Sequence, residues 1–251
     1  MTLYLTFEAL KSKKIHPLQQ VKASGNAVRQ PKSNINLGIG QKITIRKSIH
    51  ALIVKSANDA SVVLAEAVAG NEKTFVLLMN KKAKSLKMFG TNFKNSNGLH
   101  DNDQYTTARD MAKLAIALRN HFPRYYHLFS MRSFNFEGQK IKGHNNVLRR
   151  YKGADGLKTG YVKASGFNLV TSATNEYGTL MGVVMGGQTA RIRDDHMIAL
   201  LDKAYIFLKE NPVVKRQNKD TIAYKDDIFQ YIQKKYLVPV FYASIPSNHP
   251  Q

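Results

Sequence analysis

The sequence predicts an α/β or α+β sandwich, with paired strands covered by helices drawn from both ends of the chain. Three observations carry this. Phe167–Thr174 and Thr179–Gly186 are nearly continuous apolar runs joined by NEYG, as expected for hairpin strands covered on both faces. The stretch TTARDMAKLAIALRNHF places Met111, Leu114, Ala115, Leu118 and Phe122 on one helical stripe. Asp194–Leu208 repeats that pattern with Met197, Leu200, Leu201, Ala204 and Leu208.

The other elements follow in chain order. Residues 1–11 form a helix with Leu3, Phe7 and Leu10 at i, i+4 and i+7, and no capping side chain precedes Met1. Residues 15–47 are loop-like, broken by Pro17, Gly25, Pro31, Gly38 and Gly40, with a short strand at Lys42–Ile45. Helices are expected over Ser48–Val54 and Asn58–Ala69, the second stopped by Gly70. A further helix over Lys73–Lys87 aligns Phe75, Leu78, Met79 and Leu86, and Asn97-Gly98 marks a turn. Thr107 and Asp110 form a capping box for the next helix, which Pro123 ends. Ser133–Phe136 and Gln139–Lys142 read as a hairpin around Gly138, and Gly156–Tyr161 reads as the first strand of the main sheet. The character changes at Asn211, so residues 211–251 are a separate tail with a short helix over Asp226–Tyr236.

Composition narrows the chemistry. The 251 residues carry 38 Lys and Arg against 17 Asp and Glu, a net charge of +21, which invites an anionic partner such as an anionic membrane surface. Nucleic acid is not expected, because no helix-turn-helix, RNP or zinc pattern accompanies the charge. With no Cys there is no thiolate nucleophile or disulfide, and the eight His show no metal spacing. No cofactor is expected. No stretch is apolar for long enough to span a membrane. MTLYLTFEALKSKK lacks the basic start and small-residue cleavage site of a secretory signal, which as written implies the cytoplasm.

Two short strings bear chemistry. Ser56-Ala57-Asn58 lies between two helices, where Ser56 is also suited to cap a helix beginning at Ala57, with Asp59 completing a capping box. Lys158-Thr159-Gly160 lies on a strand, where a lysine is also an ordinary edge residue. Together they match the second and third elements of acyl-transferring serine enzymes whose first element is Ser-x-x-Lys. A serine hydroxyl needs a base such as a lysine of lowered pKa, and a cationic strand edge suits a substrate carboxylate.

The surrounding text extends the match. KSANDASVVLAEAVAG, FVLLMNKKAKSLKMFGTNFKNSNGLHDNDQYTTARDMAKLA, HNNVLRRYKGADGLKTGYVKASGFNLVTSAT and VVMGG resemble the serine-type D-alanyl-D-alanine carboxypeptidases, low-molecular-mass penicillin-binding proteins, from residue 1 to about 209. The resemblance implies an α/β fold of the β-lactamase/transpeptidase type, an antiparallel sheet flanked by helices with a helical subdomain, over residues 1–210. It implies hydrolysis of terminal D-Ala from peptidoglycan stem peptides ending in D-Ala-D-Ala, inhibition by β-lactams and a periplasmic or cell-envelope location. It also implies proton relay by Ser56, a substrate-amide contact from Asn58 and a cationic site around Lys158. Thr159, Gly160 and Arg193 would hold the D-alanine carboxylate, with Arg191 the rival arginine, and His144 would line the cleft.

One departure stands out. None of the fourteen serines has Lys three positions later, and Ser12 comes nearest, with Ile15 in that place. MTLYLTFEAL resembles what directly follows the family's Ser-x-x-Lys. The nucleophile, its base and the N-terminal strands are therefore expected upstream of Met1, and the chain as written is expected to be inactive.

Overall fold

A computed structural model describes residues 1–210. The expected boundary at 211 and the helix over Asp226–Tyr236 lie outside the described residues.

The chain begins with helix α1, Thr2–Lys11, in which eight of ten residues are buried. A helix buried on nearly every side is a core element, not a surface one. Phe7 is fully buried, stacked on Tyr125 at 4.9 Å and edge-on to Phe129 at 6.1 Å. Residues 15–47 are more ordered than their Gly and Pro content suggests. Strand β1, Gln20–Lys22, pairs antiparallel with β2, Lys42–Thr44, and Ser24 caps a short helix α2, Gly25–Val28. Segments of three or four residues are too short for periodicity to reveal.

Helix α3, Ile45–Val54, starts three residues before the expected Ser48, because the Thr44 hydroxyl accepts from the Lys47 N–H and caps it there. Ile45 therefore belongs to the helix and not to the strand. Helix α4, Asn58–Ala69, has the expected bounds, and Gly70 closes it at φ 82°. Helix α5, Glu72–Ser85, is capped by Asn71 and stops two residues before the expected Lys87. Helix α6, Ala108–His121, is capped by Thr107, but the capping box is only half made. The Asp110 carboxylate does not turn back to Thr107; it accepts from Gly90 N–H and Thr91 Oγ1, both at 2.9 Å. Pro123 ends that helix and also begins another, α7, Pro123–Tyr126, as its first residue, where a missing N–H costs nothing.

The expected hairpin is present as β3, Ser133–Phe136, and β4, Gln139–Lys142, turned through Glu137 and Gly138, both at positive φ. A short helix α8, Val147–Arg150, leads into the main sheet. That sheet has the order β5-β6-β7, all antiparallel, with β5 at Ala154–Val162, β6 at Gly166–Asn175 and β7 at Gly178–Gly187. Each strand is slightly longer than its apolar run. Helix α9, Ala190–Glu210, starts four residues before the expected Asp194, because the Thr189 hydroxyl accepts from the Ile192 N–H.

Five consecutive β6 residues, Leu169 to Ala173, are buried, so the strand is covered on both faces. Leu169 and Ala173 pack with Met197 and Leu201 of α9. Val170 belongs to the larger core, with Phe7, Phe75 and Phe129. A polar tie stitches the layers together: Arg119 of α6 pairs with Asp155 at 2.9 Å, Ser172 donates to the same carboxylate, and Tyr126 meets Ser172 at 2.6 Å.

Replacing Phe7 by Ala is expected to cost about 3–5 kcal/mol by opening a cavity among three aromatic rings. Thr107→Ala is expected to cost about 1 kcal/mol by leaving one helix donor uncapped. Denaturant unfolding of both variants measures the two effects side by side.

Candidate active site

The site is built where α3 ends and α4 begins. Ser56 occupies this corner at φ 57°, a left-handed conformation unfavourable for a residue with a side chain. Its surroundings hold it there. Ser33 donates to the Lys55 carbonyl at 2.8 Å, the Asn58 N–H donates to the Ser33 carbonyl at 2.7 Å, and the Asn58 side-chain amide donates to the Pro31 carbonyl at 2.9 Å. Ser56 is thus not the cap of a helix beginning at Ala57. The helix starts at Asn58 with no side-chain cap, and Asp59 receives the N–H groups of Ile35, Leu37 and Ala60. Burial pushes the Asp59 carboxyl upward against the pull of those N–H groups.

The Ser56 hydroxyl is free for another partner, and it is met from across the molecule. Lys158 of β5 donates its ammonium to Ser56 Oγ and to the Thr159 carbonyl, the latter at 2.7 Å. Burial, then the neighbouring Arg193 guanidinium, brings the Lys158 pKa down to about 8. Lys158 is therefore not an ordinary edge lysine, although β5 is indeed an edge strand.

Arg193 is 3% exposed, bound through Nε and Nη2 to Asp194 Oδ1 at 3.0 and 2.7 Å and through Nη1 to the Asn168 carbonyl at 3.3 Å. Its rival Arg191 has a side chain 90% exposed and reaches only Asp195, at 3.8 Å. The close approach of α9 to the sheet requires Gly187, where a Cβ would lie 2.9 Å from Arg193 Cβ and 3.2 Å from the Phe167 carbonyl. Gly160 follows on the exposed edge, paired with Asn168. Thr159 lines a small cavity with His144 and Asn145. The His144 imidazole is pushed down by burial and by the charges of Lys55 and Lys158. The structure thus joins Lys158 to Ser56, sets Thr159 beside His144, and brings the buried charge of Arg193 close enough to act on Lys158. The Asn58 carboxamide is engaged by the Pro31 loop beside it.

Two neighbours, Lys55 and Arg132, escaped the sequence reading, whereas Asn145 was expected beside His144 in the cleft. Lys55 and Arg132 add positive charge beside His144, and Asn145 presents a buried carboxamide with no partner. Only Lys55 had a sequence signal, its adjacency to Ser56. Arg132 arrives through the segment before β3, which carries no local pattern.

An ammonium in this setting is charged at a cost to folding. Unfolded, Lys158 titrates at its ordinary 10.5. Between pH 8 and that value the unfolded chain binds more protons, so this group makes stability rise with pH. Lys158→Met is expected to raise stability at pH 7 by about 2 kcal/mol, or ~4–8 °C in melting temperature. The advantage should fade as pH climbs past 8 and vanish near 10.5, as followed by paired thermal melts.

Comparison with known proteins places this geometry in context. The D-alanyl-D-alanine carboxypeptidase family, peptidase S11, matches residues 1–189. The chain is 34% identical over 221 residues to D-alanyl-D-alanine carboxypeptidase DacF of Bacillus subtilis, covering 86% of this chain and 57% of that protein. It is 35% identical over 208 residues to DacD of Escherichia coli, covering 80% of this chain and 54% of that one. Penicillin-binding protein 5 of Haemophilus influenzae superposes with a TM-score of 0.79 at 34% identity, covering 82% of this chain and 61% of the other. The chain thus spans little more than half the length of these curated relatives. Its transpeptidase-like α/β fold and its match over most of the described residues make it a member of the peptidase S11 D-alanyl-D-alanine carboxypeptidase family.

Proposed function

We propose that residues 1–210 form the larger part of an acyl-transfer site that removes the terminal D-Ala from peptidoglycan stem peptides in the cell envelope. The observation that carries this reading is the contact between Lys158 and Ser56, which brings a cation of lowered pKa to a hydroxyl held in a strained corner. In this reading Lys158, Thr159, Gly160 and Arg193 hold the carboxylate of a D-Ala-D-Ala end. A guanidinium and a partly dehydrated ammonium suit such an anion. Ser56 passes a proton to the departing amine, and Asn58, released from the Pro31 carbonyl, meets the substrate amide. His144 borders the same hollow. β-Lactams, which mimic D-Ala-D-Ala, would bind there.

The attacking serine and its base are not among residues 1–251, since no Ser-x-x-Lys occurs. We infer that they come from sequence outside this chain. Loss of a serine nucleophile lowers turnover by on the order of a millionfold in a comparable enzyme. The purified chain should therefore form no lasting adduct with a fluorescent penicillin. A chimera with a relative's Ser-x-x-Lys segment joined ahead of Met1 should acquire the label. Labelling of the chain alone, traced by mass spectrometry to Ser56, would overturn the inferred division of roles.

Binding tests the site without turnover. An acylated peptide ending in D-Ala-D-Ala should shift the NMR signals of Thr159 and Gly160, and the same peptide amidated at its C-terminus should not. Lys158→Met should weaken the interaction by about tenfold or more, the expected loss of one charge-assisted contact.

A further inference from the structure

The loop between β4 and α8 gathers charge that the reading above leaves unused. Gly143 brings this loop against the end of α3, since a Cβ there would lie 3.3 Å from both the Val54 and the Arg132 carbonyl oxygens. The approach sets the His144 imidazole in a hydrogen bond with the Lys55 backbone and places Asn145 at a recess floored by Val54, Phe129 and Leu157. Both polar atoms of the Asn145 carboxamide are buried without a partner. Buried polar atoms seldom go unpaired, and two of them on one side chain point to an outside partner. The recess has about 20 Å³ of room, enough for a water-sized group, so it takes the tip of a side chain and not a ring.

The rim is cationic and uncompensated. Arg132 and Arg149 border the recess, and Lys55 lies close enough for its charge to act on His144. No ion pair among the described residues engages any of these three, and no acid is among the described residues that line the recess. The contrast is local: Arg150, the next residue of α8, is paired with Asp195. The two rim guanidiniums are nonetheless held in place, Arg132 by the Leu148 carbonyl at 2.6 Å and Arg149 by the Asn146 side chain. A buried water alone would satisfy Asn145, but it gives no reason for two fixed, unpaired arginines.

We propose, on the reading of the Lys158 site given above, that this recess is a second anion subsite, which takes a carboxylate on the acyl side of the substrate. In that reading the carboxylate held at Lys158 ends the peptide, so any further anion must come from residues before the D-Ala-D-Ala end. One carboxylate oxygen accepts from Asn145 Nδ2, and the other faces the guanidiniums, whose planar fork suits it. The apolar floor keeps water away and strengthens each of these contacts.

The test is calorimetric titration of the full chain with two isosteric peptides, N-acetyl-Glu-D-Ala-D-Ala and N-acetyl-Gln-D-Ala-D-Ala. The acidic peptide is expected to bind about tenfold more tightly, the worth of one charge-assisted contact. Arg132→Gln/Arg149→Gln should bring that ratio down to about one, and Asn145→Leu should lower it as well. The control Lys81→Gln/Lys84→Gln removes the same charge from exposed positions on α5 and should keep the ratio. Melting temperatures identify a variant that does not fold. Arg149→Gln alone, on an exposed side chain, then carries the test and should lower the ratio about threefold. The α-amide of N-acetylglutamate, which lacks the D-Ala-D-Ala end, should shift the NMR signal of the Asn145 side chain, and the α-amide of N-acetylglutamine should not. If both peptides bind equally, the subsite is refuted while the Lys158 reading stands. If neither peptide binds but the glutamate amide still shifts Asn145, the Lys158 reading fails and the anion subsite survives. If neither peptide binds and Asn145 does not respond, both fail. A control pair that lowers the ratio as far as the arginine pair would show diffuse attraction and overturn the proposal, and so would a ratio that survives the arginine variants.

Discussion

The burial of β6 on both faces is the constraint from which the rest of the molecule follows. A strand that is dry on each side must be covered twice, and the chain supplies α9 on one face and the large helical core on the other. Its hydrogen bonds then align β5 in one register, with Lys158 opposite Val170 and Thr159 opposite Leu169. A slip of one residue would turn Lys158 to the other face. The position of one ammonium is thus decided by apolar packing on the neighbouring strand.

From that register the electrostatics follow. Lys158 points to the junction of α3 and α4, and Ser56 is held there in a conformation its own side chain disfavours. The strain is sustained by the Pro31–Ser33 segment, whose carbonyls accept from Asn58 and whose hydroxyl binds Lys55. Strained backbone persists where the surroundings over-determine it, and here they do so with three hydrogen bonds from a loop that otherwise resembles mere connection. On the other side of the sheet, Arg193 is kept buried by Asp194 and by the absence of a side chain at Gly187. Its charge then lowers the proton affinity of Lys158. Core packing, loop strain and charge are coupled through a few named atoms.

Much of this was legible along the chain where one physical signal dominated. The bounds of α4 were set by Gly70 and a break after Val54, and the β3–β4 hairpin by Glu137-Gly138, where local backbone preference and pattern agree. Legibility failed where a single hydroxyl moved a boundary, as Thr44 and Thr189 did for α3 and α9. It failed again where a side chain had two suitors. Asp110 looks like a capping partner for Thr107 and instead ties down Gly90 and Thr91. Ser56 looks like a helix cap and instead receives a lysine. Short elements such as β1 and α2 carry too few residues for any periodicity.

The sequence by itself determined the helical and extended segments, the family likeness and the two strings that bear chemistry, because each rests on neighbours within a few positions. It also settled that no Ser-x-x-Lys lies within these residues, a matter of spelling alone. Only the tertiary structure decided that Ser56 and Lys158 touch, since they are 102 residues apart and no local rule links them. It alone buries Arg193 against Asp194 and Asn168 and leaves Arg191 exposed, because that depends on how α9 meets the sheet.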